Sequence, residues 1–448
     1  MEEQNNQIKI KLTTLMILIV IVAIIIVGIL AIMLYNPDGG SNNNVGANMI
    51  VQTGEEENII IEDGDEEPNP QQDYADTDFS FKFLKMENKN QNMIYSPLSI
   101  KYALKMLNEG ANGTTKSQIE NVIANLNLTK YNNIDNILSL ANGIYVRNTY
   151  TEYVKEEFKQ VLTEKYNAEI NYDSFDNANN INKWIEDKTL GIIKNMIKDE
   201  TVQNPYTEML LINALAIDME WKNSFDASRT YGEEFNLEDG SKMTATMMHQ
   251  ETKSDSVSYY KDENVTALAM DLEEYDDIQL EFIAIMPENN LTDYIEKFTI
   301  EDFNKIINES TLASKTKDGV NISIPKFSFD YELNLRGDLI KLGITDAFNK
   351  ITADFSNMSS SIEGLYVSDA LHKANVDFTE KGIKAAAVTV FVMADKNMIE
   401  EPRQPEEIKI DKPFLYIIRD KDTDEIWFVG TVYEPNSWEN DKAEYQYR

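Results

Sequence analysis

About 21 consecutive residues near the N-terminus, residues 15–35, carry no charged side chain. At 1.5 Å per residue, a helix of this length spans about 30 Å, the thickness of the hydrocarbon core of a bilayer. The run has no polar face, which argues against a buried amphipathic helix. It is also longer than the apolar part of a cleaved signal peptide and lacks an Ala-x-Ala-like end. We therefore predict an uncleaved transmembrane helix over residues 15–35.

The flanks of this run predict its orientation. Lys9 and Lys11 precede it, and the positive-inside tendency then places residues 1–14 in the cytoplasm and the chain after Tyr35 outside the cell. Residues 36–75 are rich in Asn, Gly, Asp and Glu, which predicts an acidic, disordered linker. A cation site is the alternative for this acidic stretch, but a solvated tether that lies between the bilayer and a folded domain is favoured.

Composition excludes several classes of function. The chain has no cysteine, so disulfides, thiolate metal sites and a cysteine nucleophile are excluded. Only two histidines are present, His249 and His372, and no calcium-loop spacing occurs, so we predict neither a metal nor a cofactor. A formal net charge of −36 disfavours nucleic acid as a partner. The missing cysteines and the Asn-, Lys- and Ile-rich usage favour a prokaryotic source.

Residues 76–438 have the composition of one large globular domain, followed by a C-terminal tail at 439–448. A Ser-Pro pair at Ser96 opens an amphipathic helical pattern that stops at Gly110. Short apolar, β-rich segments such as LEFIAIMP, and a hairpin pattern near the C-terminus, predict strands in the second half. This order of elements predicts the α+β class.

Segments across residues 77–437 resemble the characteristic motifs of the serpin family, in the family's order. The matching segments are SPLSIKYALKMLNEGANGTTKSQI, INKWIEDKTLGII, LINALAIDMEWKNSFDASRTYGEEF, IPKFSF, LGITDAF, HKANVDFTEKG, KPFLYIIRD and WFVGTV. The resemblance implies three β-sheets, eight to nine helices and an exposed reactive loop near the C-terminus. It also implies a suicide inhibitor of serine proteases: the cut loop inserts as a new strand into the main sheet and traps the acyl-enzyme.

The sequence departs from the family pattern at three places. Met219 stands where the family usually has a glycine. The loop hinge, which usually reads Glu-x-Gly-Thr-Glu-Ala, here has Ile383 and Lys384 at its fourth and fifth positions. The segment between the small residues of the loop and Lys412 is also several residues longer than usual.

The loop is nevertheless fit to become a strand. No proline occurs from Gly382 to Lys396, and Gly382 can turn freely. Alternation places Ile383 toward the core and Lys384 toward solvent, so both departures are tolerable. Some 15 residues at about 3.3 Å each reach roughly 50 Å, about the span of the domain. The hinge and the leading edge of the inserting strand comprise Glu380, Gly382, Ile383, Ala385, Ala386, Ala387 and Thr389.

Counting residues from the two ends of the loop predicts two different scissile bonds. Family members keep a near-constant distance from the hinge glycine to the cut, which predicts Lys396–Asn397. Counting back from Lys412 favours Arg403 instead. We prefer the hinge count because the inserted length is what the trap requires, and because prolines flank Arg403. A basic residue at the cut indicates a trypsin-like protease, with a subtilisin-like protease as the alternative target.

By resemblance, a buried polar network lies where the main sheet opens. Its predicted members are Asn92, Ser96, Ser99, Asn213 and His372. Buried polar groups must be paired, and a network with two possible pairings can gate the separation of strands. Ser96 is equally good as a helix N-cap. Glu380 is expected to pair with Lys326 over Trp221, and an exposed pair there would contribute about 0–1 kcal/mol.

Two functions remain from the sequence. The first is a monomeric protease inhibitor anchored outside the cell membrane. The second is a non-inhibitory serpin, a binding or scaffold protein whose loop is cut without trapping the protease, for which Ile383, Lys384 and the long loop are the best support. We do not predict an enzyme, because no G-x-S-x-G nucleophile context occurs.

Overall fold

A computed structural model describes residues 46–53, 78–123, 126–362, 364–383 and 404–445. The helices in these residues are α1 Phe79–Met86, α2 Pro97–Gly110, α3 Gly113–Ile123, α4 Glu156–Tyr166, α5 Asn179–Lys188, α6 Asp199–Gln203, α7 Leu291–Lys297, α8 Ile300–Glu309, α9 Leu335–Lys341 and α10 Trp438–Tyr445. Ten α-helices within the described residues exceed the eight or nine expected, and α10 falls in the segment interpreted as a tail. Helices and three sheets pack around one extended core, so the predicted mixture of α and β structure is confirmed.

The main sheet has eight strands and carries the candidate site. Its strands are β1 Gly46–Thr53, β3 Leu138–Arg147, β4 Glu169–Asp173, β5 Thr207–Ile217, β6 Met219–Glu220, β14 Phe327–Asn334, β15 Leu365–Phe378 and β16 Gly382–Ile383. Their order is β4-β3-β5-β1-β15-β16-β6, and β14 pairs with β15. The longest described strand, β15, therefore has partners along both edges, and it leads directly into the loop hinge.

Two further sheets complete the fold. The seven-stranded second sheet contains β2 Met93–Tyr95, β9 Val257–Lys261, β10 Val265–Asp271, β11 Leu280–Pro287, β12 Thr311–Leu312, β18 Phe414–Asp420 and β19 Ile426–Val432. The third contains β7 Thr230–Asn236, β8 Lys242–Thr252, β13 Val320–Pro325 and β17 Glu406–Lys409. Every residue of β10, β11, β18 and β19 is buried, which explains their nearly continuous apolar sequences. The predicted C-terminal hairpin is β18–β19.

Local sequence signals explain the boundaries of the predicted helices. Ser96 caps α2, because its hydroxyl accepts the Ser99 N–H at 3.1 Å, and Pro97 occupies the first helical position. Helix α5 ends at Lys188, shortly before Gly191, whose φ of +72° suits a glycine. Helix α2 lies where its sequence pattern predicted it.

Strand β1 was not predicted. Its residues fall inside the stretch interpreted as a disordered linker, and over Gly46–Thr53 the structure differs from that interpretation. The rest of residues 36–75 and the predicted membrane span at 15–35 lie outside the described residues, so those boundaries stay predictions. Among the residues described, no helix combines the length and apolarity needed to cross a bilayer.

Candidate functional site: the loop hinge and the sheet opening

The loop hinge is fixed by main-chain hydrogen bonds to the segment that follows β6. After β15 ends, the carbonyl of Lys381 accepts the Trp221 N–H at 2.7 Å, and the carbonyl of Glu380 accepts the Phe225 N–H at 2.8 Å. The Trp221 indole N–H donates to the carbonyl of Thr379 at 2.8 Å. The hinge therefore enters the sheet over Trp221, as predicted from the resemblance.

Gly382 is needed for close approach rather than for conformational freedom. A Cβ at this position would lie 2.1 Å from the carbonyl oxygen of Met219 and 2.7 Å from the Cα of Glu220, which are both backbone atoms. The sequence argument that Gly382 supplies a free turn is replaced by this steric one. Ile383 follows in β16 and is buried.

Glu380 and Lys326 form the expected ion pair, but the pair is buried. The carboxylate and ammonium lie 3.3 Å apart, and the two side chains are only 10% and 8% exposed. The low value expected for an exposed pair therefore does not apply: removing one partner would leave a buried charge, which costs about 3–5 kcal/mol. Burial by itself would raise the pKa of Glu380, but Lys326 and the Tyr445 hydroxyl hold it below its ordinary value.

Helix α10 adds a third residue, Tyr445, to the ion pair of Glu380 and Lys326. Its hydroxyl donates to Glu380 at 2.6 Å and accepts from the Lys326 ammonium at 2.6 Å. Burial raises the pKa of Tyr445, and its hydrogen bond to the Glu380 carboxylate raises it further, so the phenol stays protonated. We call Glu380, Lys326 and Tyr445 the hinge cluster.

The rest of α10 packs against the third sheet. The indole of Trp438 covers Gly232, where any Cβ would come within 2.5 Å of the ring. The Asp441 carboxylate accepts the Thr246 hydroxyl at 2.8 Å. The rings of Trp438 and Tyr445 also pack against each other, with centroids 5.5 Å apart and planes tilted by 31°. These contacts hold Tyr445 over the hinge.

The polar network at the sheet opening is present in part. The Ser96 N–H donates to Nε2 of His372 at 2.9 Å, and the Ser99 hydroxyl donates to the Asn213 side chain. Asn213 in turn donates to the side-chain oxygen of Asn142 at 2.8 Å. Ser96, Ser99, Asn213 and His372 are fully buried. Asn142, on β3, was not predicted as a member.

Asn92 makes different contacts and corrects the predicted network. Its side-chain oxygen accepts the N–H groups of Tyr433 and Glu434 at 2.7 and 2.9 Å, and its amide donates to the Glu434 carbonyl at 2.6 Å. Asn92 therefore ties the end of β19 to the start of β2. The resemblance placed it in the right region but with the wrong partners.

His372 is neutral in this environment. Complete burial lowers its pKa to about 3, because the charged imidazolium would lose its hydration. Since Nε2 accepts a hydrogen bond from Ser96, the ring proton lies on Nδ1. That Nδ1 atom is buried and has no hydrogen-bond partner among the described residues.

Strand β1 lies between β5 and β15, which carry Asn213 and His372 of the predicted sheet opening. It is antiparallel to both, with Ala47 opposite His372 on one side and Asn213 on the other. Met49, two residues on, is opposite Ala370 and Leu211 and is fully buried. The opening is thus filled by a strand from the N-terminal part of the chain.

Comparison with known proteins identifies the family. The sequence model of the family described as "Serpin (serine protease inhibitor)" matches residues 74–435. The chain belongs to the serpin family. An uncharacterized serpin-like protein of Methanosarcina acetivorans is 30% identical over 382 residues, which cover 81% of this chain and 85% of that protein. The leukocyte elastase inhibitor of Xenopus laevis is 29% identical, with coverages of 81% and 98%.

The solved structures agree with this assignment. The native state of the thermophilic serpin tengpin is 28% identical, has a TM-score of 0.66, and matches 81% of this chain and 93% of its own. Serpins are named as serine protease inhibitors, and many of them block proteases without being catalysts. The matched region ends at residue 435, so α10 lies beyond it.

Several predicted serpin residues lie outside the described residues. These are Lys384, Ala385, Ala386, Ala387, Thr389, Lys396, Asn397 and Arg403. The structure resumes with Gln404, whose N–H donates to the Asp318 carboxylate at 3.3 Å, and then enters β17. The scissile bond and the leading edge of the loop therefore stay predictions.

Proposed function

We propose that this serpin inhibits a serine endopeptidase as a suicide substrate, with its reactive loop inserting between β5 and β15 after cleavage. The observation that carries the proposal is the register of β16. Ile383 is paired with Phe378 of β15 on one side and with Met219 of β6 on the other. The hinge is thus already a short strand at the mouth of the sheet opening.

Continuing that register leads into the opening without a shift. Six residues beyond Ile383, Thr389 would stand opposite His372 and Asn213, which are six residues before Phe378 and Met219 respectively. Ala47 already has these same two partners. The opening therefore accepts a strand with the direction and register that the cut loop requires.

The length of the loop favours cleavage at Lys396–Asn397. Fifteen residues from Gly382 to Lys396 reach roughly 50 Å when extended, which matches the length of a strand spanning the sheet. Lys396 favours a trypsin-like protease with an acidic specificity pocket, and a subtilisin-like protease is the second candidate. Arg403 is the alternative cut, closer to β17.

We place the inhibitor on the outer face of a cell membrane as a monomer. Residues 15–35 would span the bilayer, and Lys9 and Lys11 would hold the N-terminus in the cytoplasm. A single-pass anchor of this kind would keep the serpin domain at the cell surface, where it meets external proteases. The archaeal relative is in keeping with a prokaryotic source.

A non-inhibitory serpin is the second candidate, and β1 favours it. A strand that fills the opening would prevent the loop from entering, and the protein would then act by binding or scaffolding. The two candidates differ in one respect: whether β1 gives way when the loop is cut.

The test mixes the full-length protein, in detergent, with trypsin and with subtilisin. Denaturing gels should show a band at the summed mass, and mass spectrometry should find a released fragment that starts at Asn397. A fragment that starts at Gln404 would move the cut to Arg403. Lys396→Ala and Arg403→Ala serve as matched variants, since only the one at the true site should abolish the trypsin complex. Complete cleavage with fully active protease and no covalent band would contradict inhibition of these two classes.

A further inference from the structure

We infer that the main sheet contains a strand-binding site between β5 and β15, that residues 46–53 of this chain are its resident occupant, and that the cut reactive loop must displace them. The first two parts stand on β1 alone. The third part rests on the proposed function, because it assumes that the loop inserts.

The pairing of β1 is extensive on both edges. All eight residues of Gly46–Thr53 are paired with β15, and Ala47 to Gln52 are paired with β5. Each main-chain hydrogen bond contributes about 0.5–1.5 kcal/mol net, so a strand paired on two sides is held firmly. The buried side chain of Met49 adds an apolar contact inside the core.

Register shows that β1 and the loop compete for the same positions. Extending β16 in its own register assigns loop residues 388–392 the partners 373–369 on β15. Residues 46–50 have these partners in the structure. On the β5 side, loop residues 389–392 and residues 47–50 share the partners 213–210. Two strands cannot occupy one set of partners, so the loop enters fully only when β1 leaves.

Strand β1 and the reactive loop differ chemically at the position opposite His372. His372 has a buried Nδ1–H without a hydrogen-bond partner among the described residues, and the residue opposite it is Ala47. An alanine side chain has no group that could accept this proton. Thr389 would take the position of Ala47 and bring a hydroxyl to it. At this position, satisfying a buried donor favours the loop over the resident strand.

The resident strand β1 would affect when the reactive loop can insert. While the loop is uncut, both of its ends are fixed and residues 46–53 keep the opening filled. Cleavage frees one end of the loop, which can then compete from the hinge inward. The resident strand would thereby guard against insertion before cleavage.

The occupancy is tested with engineered cysteines in the full-length protein, which has none of its own. Asn48 and Leu371 are directly paired, and opposite residues in an antiparallel ladder lie within disulfide range. The pair N48C with L371C should form a disulfide at least tenfold faster than the control pair N48C with Y366C. Tyr366 is opposite Gln52, four residues along β1, which is beyond disulfide reach. Equal rates in the two pairs would overturn the occupancy.

The displacement is tested on the same protein without a protease. A synthetic peptide with the sequence of residues 383–395 should lower the rate of N48C–L371C disulfide formation at least fivefold. A peptide with Arg in place of Thr389 should not, because it would bury an unpaired charge. If the loop peptide leaves the rate unchanged, competition between the two strands is excluded, although the occupancy would stand.

A third measurement separates this inference from the proposed function. With the N48C–L371C disulfide closed, trypsin should cut the loop but form at least tenfold less covalent complex than with the reduced protein. Equal complex formation by the locked and reduced forms would overturn the need for displacement. If neither form traps trypsin while the cross-linking and peptide results hold, the strand-binding site stands and inhibition of trypsin fails.

Discussion

His372 shows how one buried side chain makes the sheet opening sensitive to pH. It is fully buried, accepts the Ser96 N–H and has its pKa lowered to about 3. In the unfolded chain the same imidazole titrates near 6.5. The unfolded state therefore binds more protons between these two values, and acid favours unfolding there.

We predict that lowering the pH from 6.5 to 5.0 reduces the free energy of unfolding by about 1.5 kcal/mol through His372 alone. The variant His372→Gln keeps an acceptor for the Ser96 N–H but cannot be protonated. Its stability should therefore lack this component of the pH dependence. Urea unfolding of both proteins at the two pH values measures this difference. Parallel pH profiles would show that His372 is not held neutral.

At the scale of elements, α10 lies beyond the region that the family model matches and reaches the loop hinge. Its Trp438 rests on Gly232, and its Tyr445 completes the hinge cluster with Glu380 and Lys326. The Tyr445 hydroxyl links the Lys326 ammonium to the Glu380 carboxylate through charge-assisted hydrogen bonds, which are stronger than neutral ones. A helix that follows the family domain therefore stabilises the point where the loop enters the sheet.

We predict that Tyr445→Phe lowers the free energy of unfolding by about 1–2 kcal/mol at pH 7, because the buried pair loses a shared hydroxyl. Since the pKa of Glu380 is lowered in the folded state, the stability that it contributes is present above pH 4.5 and is lost as the pH falls through its folded value. The difference between wild type and variant should shrink over the same range. Urea unfolding from pH 7 to pH 3.5 measures both effects.

Tyr433→Phe is the matched control for this experiment. The Tyr433 hydroxyl donates to Asn88 at 2.8 Å and contacts the Thr292 hydroxyl at 3.0 Å, away from the hinge cluster. Its removal should cost a similar amount at neutral pH, but the cost should not shrink together with Glu380 protonation. The same acid dependence in both variants would mean that Tyr445 does not act through Glu380.

The elements that could be predicted from the sequence are those in which the residues of the element itself show a helix or strand pattern. Helix α2 has its Ser-Pro start, and the β18–β19 hairpin has two apolar strands around a polar turn. Strand β1 could not be predicted in this way, because its sequence GANMIVQT lies within a polar, acidic stretch. The strand pairs with β5 and β15, which are more than 150 residues away in the sequence. Helix α10 is also short and polar, and residues 439–448 were therefore interpreted as a tail.

The residues of the candidate site also separate into those that the sequence predicted and those that it did not. Resemblance gave the ion pair of Glu380 and Lys326 and most of the network around His372, because those residues lie inside shared motifs. It did not give Asn142, which enters through its contact with Asn213 across β3 and β5. Nor could it give the burial of the ion pair, which depends on a helix beyond the family domain.

On the scale of the whole molecule, the proposed mechanism requires that either of two strands can complete the main sheet. The resident strand extends over Gly46–Thr53, whereas a loop cut at Lys396 could form a strand from Gly382 to Asp395 that also pairs next to the hinge. The longer strand adds ladder hydrogen bonds, at about 0.5–1.5 kcal/mol net each, and brings Thr389 to His372. On the proposed mechanism, the uncut protein would be a kinetically trapped state, because a more stable form would be available to it.

We therefore predict that cleavage of the loop by trypsin raises the free energy of unfolding by several kcal/mol and raises the melting temperature, instead of lowering it as a nicked chain usually would. Differential scanning calorimetry before and after cleavage measures the change. The variant Thr389→Arg is the control: it should be cut at the same bond, but a charge at an inward position of the inserted strand prevents full entry, so its gain should be lost. A wild-type melting temperature that stays the same or falls after a complete cut would mean that the loop does not replace β1, and the non-inhibitory function would then be favoured for this serpin.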